Sequence, residues 1–224
     1  IHEQPRALRQ AISGRIDELA TDVDLDVELP AEYLHSIEEI QIIACGTSYH
    51  AGLYAKELLE PTADVRVSVT IASEYEFTGG RDPWRTLVIA ITQSGETADT
   101  LSALRDAKRA GARTLAVTNT LGSTVTREVD ETVFIRAGPE ICVAATKSFS
   151  SQVATLAVLS ERIRRDVYGT PTEDTQQFLS ALKAFPDHVQ QIVDGSQAEQ
   201  IAESFSDANA YFFIVRGTPH PVAL

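Results

Sequence analysis

Five short runs of almost wholly apolar residues limit what this chain can fold into: 42–45 (IIAC), 65–71 (VRVSVTI), 87–91 (LVIAI), 114–117 (TLAV) and 132–135 (TVFI). Their hydrophobicity is continuous rather than strictly alternating, which predicts strands covered on both faces, as in a parallel sheet flanked by helices. Between them lie stretches of crossover-helix length or shorter, at 51–59, 97–110 and 123–129. This alternation is the sequence form of an α/β domain. It predicts a doubly wound, mostly parallel five-stranded sheet flanked by helices in a three-layer sandwich.

Helical patterns surround that block. Upstream, Leu8, Ile12, Ile16 and Leu19 are spaced to share one face of an amphipathic lead-in helix. An acidic loop over 22–28, Pro30 and a short helix over 31–37 follow. Downstream, residues 144–165 predict a long helix, 173–193 a second one kinked near Pro186, and 198–205 a third. The chain then returns to an apolar run, YFFIV at 211–215, followed by Arg216-Gly217-Thr218. The pattern of apolar run, one residue and Gly-Thr repeats that of 42–47 and reads as the start of a second, similar unit. With no methionine anywhere, the chain reads as a piece of a longer protein. The expected division is a helical lead-in over 1–36, a first domain over 37–168, a helical connection over 169–209 and an opening strand over 210–224.

The formal charge of -13 and a pI near 4.8 argue against a nucleic-acid partner, which needs a basic face to meet phosphates. No apolar stretch approaches the ~20 residues that span a bilayer, and the N-terminus lacks a signal-peptide pattern. No membrane partner and a cytoplasmic location are therefore expected. Cys45 and Cys142 read as free thiols. His50 and His188 belong to no cluster at metal-ligand spacing, so no metal is expected.

The chemistry concentrates in two loops that leave strand ends: Gly46-Thr47-Ser48, and Gln93-Ser94-Gly95-Glu96-Thr97 after Thr92. In each, glycine permits close backbone approach and the helix that follows presents unpaired N–H groups at its positive end. Serine and threonine hydroxyls add rotatable donors. The combination can hold a phosphate without any lysine or arginine. Helix capping alone, with Ser94 as N-cap and Thr97 three residues on, is the plainer alternative. Two such loops on neighbouring strands favour binding. The glycine-rich dinucleotide and P-loop signatures are both absent. Glu96 is expected in a first helical turn, serving the dipole. Lys147 is expected three residues into the long helix, in solvent, and Ser73-Glu74 reads as a crevice or surface turn.

The segments ACGTSYHAG (44–52), ASEY (72–75), QSGETADT (93–100) and VAATKSF (143–149) resemble the sugar isomerase (SIS) domains. Their order and spacing, beginning at EQP (3–5), resemble the isomerase half of the glutamine:fructose-6-phosphate aminotransferases. The resemblance implies two tandem SIS domains behind a glutaminase domain, making glucosamine 6-phosphate from fructose 6-phosphate and glutamine. This chain would supply the first SIS domain and the opening strand of the second. The resemblance assigns phosphate binding to Ser48, Ser94 and Thr97 with Gln93, and neighbouring phosphate or sugar contacts to Thr47 and Thr92. Val143 and Ala145 stand at sugar-contacting positions, Ala145 where the family often has serine. The proton-shuttling Glu, ring-opening His and iminium-forming Lys of the family come from the second SIS half, the C-terminal tail and a neighbouring subunit. No catalytic residue is therefore expected within 1–224. The implied partners are fructose 6-phosphate, glucose 6-phosphate or glucosamine 6-phosphate, the rest of the parent chain and a second copy in a homodimer, with no cofactor. A phosphosugar-sensing regulator or a stand-alone phosphosugar isomerase are the alternatives. The acidic lead-in speaks against the basic helix-turn-helix that a regulator would carry.

Overall fold

The computed structural model describes residues 1–63, 65–79, 82–169 and 172–224. In chain order its elements are α1 (Gln4–Ile12), α2 (Ala31–Ser36), β1 (Glu39–Ala44), α3 (Thr47–Ala63) and β2 (Arg66–Ile71). Then come β3 (Thr86–Thr92), α4 (Ala98–Ala110), β4 (Arg113–Thr118), α5 (Thr124–Glu128) and β5 (Glu131–Phe134). The chain continues through α6 (Lys147–Tyr168), α7 (Glu173–Asp194), α8 (Gln197–Ser204) and α9 (His220–Ala223).

All five expected strands form, and they pair in parallel in the order β2-β1-β3-β4-β5. Ile42 of β1, for example, stands level with Val69 of β2 and Ile89 of β3. Every residue of the central β3 is buried, because both sheet faces are covered. On one face Ile40, Ile42, Leu87, Ile89, Ile91, Leu115 and Val117 share a core with α3, α6 and the lead-in. On the other, Ile43, Val88, Ala90 and Ala116 pack with Leu101, Leu104 and Ala107 of α4. Helix α4 stops at Gly111, whose φ of 99° takes the left-handed cap that a side chain disfavours.

The strand order has a functional consequence. From β1 the chain crosses to β2 on one side and later to β3 on the other, so β1 and β3 flank the topological switch point. Beyond their carboxyl ends the two loops diverge and leave a crevice.

Several expectations change at the periphery. The lead-in helix ends at Ile12 rather than reaching Leu19, which is 72% exposed. Gly14 takes φ +71°, and the buried Arg15 donates to the carbonyls of Ala11 and Phe134 and to Thr155 Oγ1. A continued helix could not place that guanidinium inside. Residues 22–28 form the expected loop with Asp24, Asp26 and Glu28 facing out, but its alternate residues Val23, Leu25 and Val27, with Leu29, are buried. The alternation of buried and exposed side chains lets this loop cover the core without belonging to the sheet. Helix α6 begins at Lys147, not at residue 144. The run at 211–215 forms no strand; Phe212 is 86% and Ile214 92% exposed. A strand needs a neighbour to satisfy its N–H and C=O groups, and none lies beside this run among the described residues. The following Gly217 turns the chain into α9, which packs on α3. No helix among the described residues is long and apolar enough to cross a membrane.

Candidate functional site

At the carboxyl end of β1, Gly46 (φ +56°) turns the chain directly into α3, so Thr47 and Ser48 occupy the first turn of a 17-residue helix. At the end of β3, the loop from Gln93 to Thr97 leads into α4. Gly95 is the tightest point of this loop. Its φ is +71°, and a Cβ there would lie 2.1 Å from Ser123 Oγ and 2.6 Å from Ser123 Cβ. Only glycine satisfies both the torsion and the space.

Hydrogen bonds hold the loop against its neighbours. The Gly95 N–H donates to Thr92 Oγ1 (3.2 Å), and the Gly95 carbonyl accepts from the Val125 N–H (3.1 Å). The Gln93 carbonyl accepts from the Asn119 N–H (3.1 Å) and from Thr120 Oγ1 (3.3 Å). The hydroxyl oxygens of Thr92 and Thr97 lie 3.2 Å apart.

Ser94 is not the expected N-cap. Thr97 holds that position and its side chain caps nothing, while Ser94 Oγ accepts from the Glu96 N–H (3.2 Å). Glu96 does serve a helix dipole, but that of α5, by accepting from the Thr124 N–H at 2.7 Å. This bond, with the one from the Thr124 hydroxyl, holds the Glu96 carboxyl below the usual carboxylate range. Both residues differ from expectation because the turn at Gly95 delays the start of α4.

The third wall comes from the segment between β5 and α6. Glu140 accepts from the N–H groups of Thr146 (2.8 Å), Lys147 (3.2 Å) and Ser148 (3.1 Å), and from the Ser148 hydroxyl. Burial pushes its carboxyl up, but the hydrogen bonds from Ser148, Thr146 and Lys147 together outweigh burial and hold it below the usual range. Lys147 is buried rather than solvated and pairs with Glu3. The start of the chain, with Glu3 and α1, packs against α6 and covers it.

These walls enclose a cavity of about 400 Å³. All eight residues singled out from the sequence line it: Thr47, Ser48, Thr92, Gln93, Ser94, Thr97, Val143 and Ala145. Cys45, Thr100, Glu140, Cys142 and Ser148 join them. The cavity therefore combines five hydroxyl side chains from the two strand-end loops with the amino ends of α3 and α4. It offers donors to an anion without a lysine or arginine. His50, His188 and Ser73-Glu74 lie outside it. In the ASEY segment, the buried Tyr75 hydroxyl donates to Gln41 Oε1 (2.7 Å), a packing role beneath the sheet end. A second cavity of about 360 Å³, between α3, α6, α7 and α9, is almost wholly apolar and has no comparable set of donors.

Two participants escaped the sequence reading. Gln152 is 1% exposed, and its Nε2 donates to Ser48 Oγ at 2.9 Å. This occupies a lone pair of Ser48 and leaves the hydroxyl proton free to point at a ligand. Glu140 is the other. One available signal was the row Ser148, Ser151, Gln152 and Thr155, polar positions at helical spacing within a buried helix.

Together these features define a doubly wound α/β domain with a hydroxyl-lined crevice at its switch point. The chain belongs to the SIS domain family, whose model matches residues 33–162. It is 61% identical across its whole length to the glutamine–fructose-6-phosphate aminotransferase (isomerizing) of Halobacterium salinarum, and 40% identical to that of Methanosarcina acetivorans. It spans 37% of each of these relatives. The C-terminal domain of glucosamine-fructose-6-phosphate aminotransferase from Francisella tularensis superimposes with a TM-score of 0.87 at 34% identity. That match covers 99% of this chain and 62% of the solved one.

Proposed function

We propose that this chain is the phosphosugar-binding first SIS domain of a longer glutamine–fructose-6-phosphate aminotransferase, and that the crevice holds the phosphate of fructose 6-phosphate. The observation that carries this reading is the convergence of Ser48, Gln93, Ser94 and Thr97 on one cavity at the amino ends of α3 and α4. A hydrogen bond to a charged group contributes about 1.5–3 kcal/mol net. Four or five donors can thus offset desolvation of a phosphate against the acidic background. Val143 and Ala145, on the opposite loop, face the sugar.

The same reading makes the isolated chain a binder without turnover. Aldose–ketose isomerisation needs a base that moves a proton between C1 and C2. Among the described residues, the one carboxylate lining the cavity, Glu140, is engaged by four donors that favour its ionised form, so it is a poor base. The reacting groups then come from the second SIS half and a neighbouring subunit of a cytoplasmic homodimer, with a glutaminase domain supplying nitrogen. No cofactor is needed.

Calorimetric titration of fructose 6-phosphate and glucose 6-phosphate into wild type and Ser94→Ala tests the cradle. Affinity should fall about tenfold in the variant, the loss of one such bond; equal affinity in both proteins would refute it. Formation of glucosamine 6-phosphate from fructose 6-phosphate and ammonia by this chain would overturn the claim of inactivity.

A further inference from the structure

Among the described residues that line the cavity, Glu140 is the one that carries a charge. It lies on the wall formed by the segment before α6, while the hydroxyl donors come from the walls after β1 and β3. Four donors anchor its carboxylate at the first turn of α6. It therefore cannot swing away from an approaching ligand without stripping that turn of its cap. Those same donors keep it ionised at neutral pH. The neighbouring cation does not compensate within this cavity: Lys147 is paired with Glu3 and lines an adjacent one.

A phosphate seated on the β1 and β3 loops leaves the rest of the sugar facing the Val143–Ala145 segment and this carboxylate. We infer that Glu140 sets the selectivity of the cavity, admitting sugars with one phosphate and a neutral or cationic remainder and disfavouring a second anionic group. This rests on the phosphosugar reading above and extends it to the far end of the ligand. A second phosphate about one sugar ring (roughly 6 Å) from Glu140, in an open cavity whose effective dielectric lies near that of water (~80), meets repulsion worth roughly a tenfold loss of affinity, and more where the dielectric is lower. An ammonium group at the same distance gains by the same mechanism. The overall charge of -13 is no substitute for this effect, because it acts on every anionic ligand and is screened over about 8–10 Å in physiological salt.

The test compares dissociation constants for fructose 6-phosphate and fructose 1,6-bisphosphate, and for glucose 6-phosphate and glucosamine 6-phosphate. It uses the full chain as wild type, Glu140→Gln and Glu140→Asp, with circular dichroism to verify folding. Wild type should bind the bisphosphate about tenfold more weakly than the monophosphate and should prefer glucosamine 6-phosphate to glucose 6-phosphate. Glu140→Gln should reduce both ratios to about threefold or less, and Glu140→Asp should retain them. In wild type, raising salt from about 50 mM to 500 mM should shrink both ratios, a measurement that needs no variant. Intact fructose 6-phosphate binding with ratios unchanged by Glu140→Gln, or lost equally in Glu140→Asp, overturns this inference alone. Absence of fructose 6-phosphate binding in wild type overturns the phosphosugar reading as well.

Discussion

Replacing Gly95 with alanine should damage stability and binding together, and the structure sets the scale. At φ +71° a side chain forces the strained left-handed region, at about 1–2 kcal/mol. The new Cβ would sit 2.1 Å from Ser123 Oγ and 3.0 Å from Val125 Cγ1. Ser123 cannot yield cheaply, since it is buried and its hydroxyl donates to the Thr120 carbonyl at 2.9 Å. Val125 is fully buried. Overpacking of this kind costs about 1–3 kcal/mol, for a total near 2–5 kcal/mol. At roughly 2–4 °C per kcal/mol for a chain of this size, a mid-range loss of about 3 kcal/mol lowers Tm by about 6–12 °C. If the loop shifts to relieve the clash, Ser94 and Thr97 move with it and phosphosugar affinity falls. Thermal unfolding and calorimetric titration of Gly95→Ala measure both effects. Adding Ser123→Gly should recover the packing part and leave the torsional part. A Gly95→Ala protein within about 0.5 kcal/mol of wild type, with unchanged affinity, would refute the argument.

Two further outcomes are expected. Gln152→Leu should weaken fructose 6-phosphate binding in wild type but add little in a Ser48→Ala background, because the amide acts through that hydroxyl; additive losses in a double-mutant cycle would rule this out. Glu140 has its carboxyl pKa lowered on folding, so its stabilisation is fully present above about pH 4.5 and is lost as pH falls through the folded value. Urea unfolding at pH 7 and near pH 4 should show a shallower acid loss for Glu140→Gln than for wild type. Parallel pH profiles would contradict the sign.

Much of the fold was legible because it rests on local patterns. A continuous apolar run such as LVIAI can be satisfied only where both faces are covered, and β3 is buried throughout. The two Gly-hydroxyl loops were legible for a related reason, since a strand that ends in glycine and small hydroxyls before a helix has few other uses. The lead-in was misread because Ile16 and Leu19 match a helical period that Ser13-Gly14 and the buried Arg15 interrupt. YFFIV has the composition of a strand, yet composition supplies no ladder partner.

The amino-acid sequence by itself determined the five-strand parallel sheet and the two hydroxyl loops, because spacing and side-chain type act over a few neighbouring positions, whereas Val143 and Ala145 were singled out by family resemblance and not by any local pattern. Tertiary structure alone decided which groups support and limit that cavity. Gln152 reaches Ser48 from a helix far along the chain, Ser123 enforces glycine at position 95, and Glu140 places one carboxylate opposite the hydroxyl loops. Such pairings depend on how α6 and the β4–α5 segment return across the sheet, and no local period records where a returning segment will lie.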